Sequence, residues 1–224
     1  MKVSIVQFPG TNCERDTEYA FQKLGARTEV LWHKSQTIPN DTDLLVIAGG
    51  FSYGDYLRSG AIAKFSPVMK AVVAYAKNGG QVLGICNGFQ VLTEAGLLPG
   101  ALKRNDGLHF ISKHHMLKVQ NSDNKFLKKL SAGDLVNIPI AHHDGNYYID
   151  DEGLKELQEN KQILLTYCDK NGNDANPNGS VALIAGVCNK EKNVFGLMPH
   201  PERAIELLLG SDDGVKMLEG FLES

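Results

Sequence analysis

The densest chemistry in the chain lies in Val82-Leu83-Gly84-Ile85-Cys86-Asn87-Gly88-Phe89-Gln90. It has the G-x-nucleophile-x-G form with cysteine at the centre, between an apolar run and a segment of helical spacing. A nucleophile elbow needs that order: its central residue sits on a strained turn, and glycines two positions either side let strand and helix approach without Cβ clashes. The turn presents the side chain at the carboxyl edge of a sheet and at a helix N-terminus, whose partial positive charge favours thiolate. At a reference thiol pKa of about 8.5, roughly 3% is thiolate at pH 7, so lowering the pKa raises the reactive fraction by about 30-fold at most. Larger acceleration must come from orientation and oxyanion stabilisation. A buried structural cysteine with incidental glycines fits the same stretch taken alone.

A base decides between those readings. Met198-Pro199-His200-Pro201-Glu202 follows the apolar run Val194–Leu197, which puts His200 at a strand end. Two prolines restrict its backbone, and a fixed imidazole suits proton shuttling. Glu202 can accept from one ring nitrogen, setting the tautomer and stabilising imidazolium. The competing reading is a loop histidine with a solvated Glu202; beside the elbow, the triad reading is favoured. Ala48-Gly49-Gly50-Phe51-Ser52-Tyr53-Gly54-Asp55 also follows a buried strand. Its glycines allow backbone N–H groups to face a site, so N–H groups near Gly50 and Phe51, with that of Asn87, are the expected oxyanion donors. This segment matches neither phosphate-loop pattern. The adjacent pairs His114-His115 and His142-His143 point apart on a strand and do not suggest chelation, and Cys13, Cys168 and Cys188 read as packing residues.

The elements that position these residues alternate. Strands are expected at Val3–Phe8, Thr28–Trp32, Leu44–Ala48 and Val82–Ile85, and helices at Arg15–Leu24, Pro67–Asn78 and Asn87–Ala95. Near-continuous apolar strands followed by helices imply a parallel sheet covered on both faces. After Gly100 the texture becomes strand-rich, with Met116–Val119, Val136–Ile140, Tyr147–Ile149, Ile163–Tyr167, Val181–Val187 and Val194–Leu197 as strands. Asp151–Glu159 and Val215–Phe221 read as helices, and Asp169–Ser180 as a surface loop. We expect an α/β fold: one domain over residues 1–224, a three-layer sandwich around a mostly parallel, flavodoxin-like sheet, with a mixed-strand insertion around 100–150.

With 224 residues, 42% hydrophobic, the chain can bury a sizeable core. A net charge of −3 argues against nucleic acid, which needs clustered uncompensated cations. The densest basic stretch, Lys125 to Lys129, reads as a solvated helix face. No secretory signal or bilayer-spanning window is visible, and the scattered cysteines read as free thiols, so a cytoplasmic protein is expected.

Gly84-Ile85-Cys86-Asn87-Gly88-Phe89-Gln90 together with Pro199-His200-Pro201-Glu202 resembles the class I (triad) glutamine amidotransferases. Phe8-Pro9-Gly10-Thr11-Asn12-Cys13-Glu14-Arg15-Asp16, Gly49 through Ala63, and Pro139-Ile140-Ala141-His142 are similar to the branch that serves phosphoribosylformylglycinamidine synthase. The matching stretches run from the N-terminus to Glu202. The resemblance implies that Cys86 attacks the carboxamide of glutamine, that His200 and Glu202 complete a triad, and that Gln90 helps hold the substrate. It also implies a synthetase partner that uses ATP and magnesium, a small bridging subunit, no cofactor in this chain and no membrane. The family often reads Ala-His-Gly-Glu-Gly where this chain has Ala141-His142-His143-Asp144-Gly145, so His143 replaces a glycine. Rival readings are another amidotransferase, a cysteine hydrolase acting on a different amide, and a non-catalytic regulatory subunit of the same fold.

Overall fold

Four strands are buried along nearly their whole length: β1 (Lys2–Gln7), β3 (Leu44–Ile47), β4 (Gln81–Ile85) and β11 (Val194–Leu197). Such runs are stable only with both faces covered, and they form the centre of one sheet. Its remaining members are β2 (Arg27–Trp32), β6 (Ile111–Val119), β7 (Leu135–His142), β9 (Ile163–Cys168) and β10 (Ile184–Cys188). The computed structural model describes residues 1–222. The strand order is β2-β1-β3-β4-β11-β10-β9-β6-β7. Pairings from β2 through β11 are parallel, and those from β11 to β7 antiparallel. Two short strands, β5 (Ala101–Lys103) and β8 (Asn146–Tyr148), pair with each other alone.

The helices have local causes. α1 (Glu14–Lys23) opens with Glu14 and Asp16 near its positive end and stops before Gly25, whose φ of 88° breaks the helix. α2 (Pro67–Lys77) starts on proline, which needs no hydrogen bond there, and closes before Gly79 at φ 85°. α3 (Asn87–Glu94) begins immediately after Cys86 and packs over β3, β4 and β11. α4 (Asp151–Glu159) is capped by Asp150, whose Oδ1 accepts from Gly153 N at 2.8 Å. α5 (Asp213–Leu222) packs on β7.

The α/β sandwich expected from sequence is present, and β6 and β7 of the 100–150 segment extend the antiparallel side of its sheet, while β5 and β8 stand apart from it. Two local expectations differ. The strand expected over Val181–Val187 begins at Ile184, because Ala182 and Leu183 take left-handed conformations (φ 47° and 61°). The basic stretch Lys125–Lys129 is a run of turns rather than a helix, anchored by the fully buried Phe126 and Leu127.

Parallel registry lines up the reactive residues. Ile47 lies opposite Gly84 and Ile85 opposite Leu197, so the chain leaves β3, β4 and β11 on the same edge at Gly49, Cys86 and His200. The sheet also curls until its last strand returns to this edge. His200 N donates to Pro139 O of β7 at 2.8 Å.

Candidate active site

Cys86 has φ 51° and ψ −105°, a strained conformation for a residue with a Cβ. The structure gives the flanking glycines a reason. A Cβ at Gly88 would lie 1.9 Å from Ile47 O, and one at Gly84 would lie 2.7 Å from the Gly88 backbone. Cys86 N donates to Leu197 O at 2.8 Å, pinning the elbow to the strand that carries His200. The sulfur is 3.6 Å from Ala141 O and heads α3.

His200 and Glu202 are both fully enclosed, with Nδ1 of the imidazole 2.6 Å from Glu202 Oε1. Burial alone would lower the histidine's pKa. The adjoining Glu202 carboxylate and the Cys86 sulfur outweigh that and hold it above the ordinary imidazole range. Imidazolium is therefore the favoured form, and its buried Nε2 has no partner among the described residues.

Cys86 borders a cavity of about 610 Å³ whose walls also include Gly50, Phe51, Asp55, Gln90 and Asp144, with Arg58 and Arg104 at its sides, and shares a smaller adjoining pocket with His200. The cavity thus offers both cationic and anionic groups to a small zwitterion. Burial, then repulsion from Asp144, raises the Asp55 carboxyl to about 6.

Gln90 is placed by two bonds: Oε1 accepts from Asn87 Nδ2 at 2.8 Å, and Nε2 donates to Asp144 O at 2.7 Å. It therefore braces the cavity wall between α3 and the 141–145 segment. Asn87 Oδ1 accepts from Ser52 N at 3.0 Å, fastening the glycine-rich loop to the same helix. Its backbone N–H heads α3, where no intrahelical acceptor exists.

One expected oxyanion donor is turned away. Phe51 N–H donates to Gly10 O at 3.0 Å rather than facing Cys86. The adjoining chain holds this arrangement: Gly50 sits at φ 139°, and a Cβ there would meet Asn12 N at 2.6 Å. Three further non-glycine residues of this loop, Tyr53, Asp55 and Leu57, have φ between 54° and 69°. Such strain concentrates where segments switch or clamp ligands.

Cys13, read from sequence as packing, lies beside the dyad. Its sulfur accepts from Arg203 Nη2 at 3.0 Å, and Cys13, His200 and Glu202 have ligand-type atoms within 4.8 Å of one another. A guanidinium at that distance opposes a cation, and the imidazole–carboxylate bond already occupies the other two groups, so this cluster is a poor metal site. His143 keeps a negative φ, and its Nε2 lies 3.2 Å from Leu108 O, so the departure from glycine is absorbed locally.

Residues 1–212 match the model of the CobB/CobQ-like glutamine amidotransferase domain. The chain belongs to this family. It is 77% identical to the phosphoribosylformylglycinamidine synthase subunit PurQ of Sulfurimonas denitrificans over the whole of both chains. It is 61% identical to the subunit of that name from Wolinella succinogenes over 99% of each. Among solved structures it is similar to a chain of PurLQS from Thermotoga maritima, with TM-score 0.88 and 40% identity, covering 99% of this chain and 97% of that one. The family match spans the elbow, the dyad and the residues that line the cavity. Sequence reasoning read Cys13 as packing and gave His142 and Asp144 no individual role, although Pro139–His142 was among the stretches that carried the family resemblance.

Proposed function

We propose that the chain hydrolyses glutamine to glutamate and ammonia through a thioester on Cys86, as the glutaminase subunit of a phosphoribosylformylglycinamidine synthase. The observation that carries this is the buried His200–Glu202 pair, bonded at 2.6 Å, on the same sheet edge as the strained Cys86.

The thiolate of Cys86 adds to the carboxamide carbon, forming an S–C bond and sending the π pair to oxygen. Asn87 N–H stabilises that oxyanion at the start of α3, and Phe51 N–H joins it once the loop turns inward. Collapse restores C=O and breaks C–N; the nitrogen leaves as ammonia with the proton from His200. Neutral His200 then takes a proton from water as it attacks the thioester, and glutamate departs. Glu202 keeps Nδ1 as the donor to itself, leaving Nε2 for these transfers. Gly50, Phe51 and Gln90 shape the substrate's seat.

The PurQ relatives and the PurLQS structure support assembly with a synthetase subunit and a small third subunit. In this reading, ammonia passes to the synthetase, which holds ATP and magnesium and converts formylglycinamide ribonucleotide into its amidine. This chain binds no cofactor of its own and works in the cytoplasm. None of its helices is long and apolar enough to cross a membrane, among the described residues.

The test is labelling with a glutamine-like chloroketone, with and without the synthetase partner, followed by peptide mapping. A single adduct on Cys86, blocked by glutamine, is the expected result. Absence of a glutamine-protected adduct on Cys86 under both conditions would sink the proposal.

A further inference from the structure

His142 ends β7 with 3% of its surface exposed, in the wall of the cavity that also holds Cys86, Gln90 and Asp144. Its ring lies on Gly145, where a Cβ would fall 2.3 Å from Nδ1. Asn105 determines its tautomer. Asn105 Nδ2 donates to the carbonyls of His109 and His142, both at 2.9 Å, so Oδ1 is the acceptor end of that amide. Oδ1 takes Gly145 N–H at 3.0 Å and lies 3.1 Å from His142 Nδ1. Nδ1 must therefore carry the proton and donate, which leaves a lone pair on Nε2.

That Nε2 is buried and has no hydrogen-bond partner among the described residues. A buried acceptor left unpaired is costly, so a site keeps one when something else satisfies it. Burial, reinforced by the nearby His200 ring, lowers the pKa of His142 to about 4, so the lone pair persists at neutral pH. Nε2 cannot donate, and its natural complement is an N–H group.

We propose that His142 is a further substrate-binding residue, whose Nε2 accepts a hydrogen bond from the carboxamide nitrogen of glutamine and orients the C–N bond that breaks. This deepens the glutaminase reading and rests on it. The carboxamide presents one oxygen and one NH₂. The oxygen is directed to the N–H groups at the start of α3, which turns the nitrogen toward the other wall of the cavity. His200 imidazolium, which shares a smaller pocket with Cys86, supplies the proton for the nitrogen lone pair as C–N breaks. His142 accepts one of the two existing N–H groups throughout and exchanges no proton. The leaving nitrogen is thus held between a donor and an acceptor, so its lone pair faces His200. Cys86 attack and its electron bookkeeping are unchanged.

The experiment compares the assembled synthetase complex carrying the natural chain, His142→Asn or His142→Gln. Each is assayed with glutamine and with glutamate γ-methyl ester, which has the same acyl group but no N–H on its leaving group. His142→Asn keeps a donor toward Asn105 and loses the acceptor. It should lose roughly 10- to 100-fold in kcat/KM for glutamine, the worth of one hydrogen bond in a buried site, and less than about 3-fold for the ester. His142→Gln restores an acceptor near the Nε2 position and should recover most of the glutamine rate. Iodoacetamide alkylation of Cys86 at the natural rate checks that each variant keeps the site. Equal losses on both substrates, a misfolded site in both variants, or no loss on glutamine would overturn the role. If the natural complex hydrolyses neither substrate, the glutaminase reading itself falls and this inference falls with it.

Discussion

Glu202 acts on the reaction only through His200, which makes its removal informative. Glutamine at this position would keep the shape but remove the charge that holds the imidazole protonated. Its amide could also donate to Nδ1, driving the proton to Nε2 and disabling the base. We expect Glu202→Gln to lower kcat for glutamine by on the order of 10²- to 10⁴-fold, with much less effect on KM, as measured by glutamate release in the complex. His142 gives a prediction about stability instead. Its folded pKa is about 4 against a reference of 6.5, so between those values the unfolded chain binds more protons. Stability therefore rises with pH across that window and is lost as pH falls. Asp55, raised to about 6, works in the opposite sense, being more protonated in the folded chain. Comparing the natural chain with His142→Gln isolates the histidine. Denaturant melts at pH 7.5 and 5 should show the natural chain losing about 2 kcal/mol more than the variant. An equal loss would mean that His142 titrates normally when folded.

At the scale of elements, the elbow shows what sequence can and cannot carry. Gly84, Cys86 and Gly88 were legible because steric demands at a strand-to-helix turn are local, and the structure meets them with Ile47 O against Gly88. A methyl group there has no rotamer with which to escape a backbone oxygen, so β3 and α3 must separate. Gly88→Ala should destabilise the chain by about 3 kcal/mol or more, or prevent folding, with glutaminase activity lost in parallel. A variant with natural stability would show that this approach is looser than 1.9 Å implies. The apolar strands of the parallel half were equally legible, because coverage on both faces leaves an unbroken hydrophobic run. β6 was not: only Met116–Val119 was expected, yet the strand begins at Ile111. Its first half, Ser112 to His115, lies beside β7 in a partly exposed stretch whose polar side chains hide it. His142 was given no role of its own for a related reason. Adjacent histidines were expected to point apart on a strand, but β7 ends at His142, and both His142 and His143 border the cavity.

Across the whole molecule, the parts that sequence could not settle are those that answer to a partner. Tyr56 and Leu57 are exposed at 74% and 91% beside the mouth of the cavity, on a loop rich in left-handed residues. The same loop turns Phe51 N–H onto Gly10 O. A strained segment with an uncovered apolar edge is suited to a second arrangement once a partner covers it. A free glutaminase would release ammonia without use, so the arrangement seen here is the resting one in our reading. Removing one oxyanion donor typically costs about 10²- to 10³-fold in kcat. If recovering Phe51 N–H is the activating event, adding the synthetase and the small subunit should raise glutamine turnover by about that factor. Alkylation of Cys86 by iodoacetamide provides the control, because that displacement builds no oxyanion and reports only thiolate character and access. It should change no more than a few-fold on assembly. Should alkylation rise in step with turnover, the partner would be acting on the Cys86–His200 pair rather than on the loop. Full activity of the free chain would show that the Phe51 peptide turns without any partner.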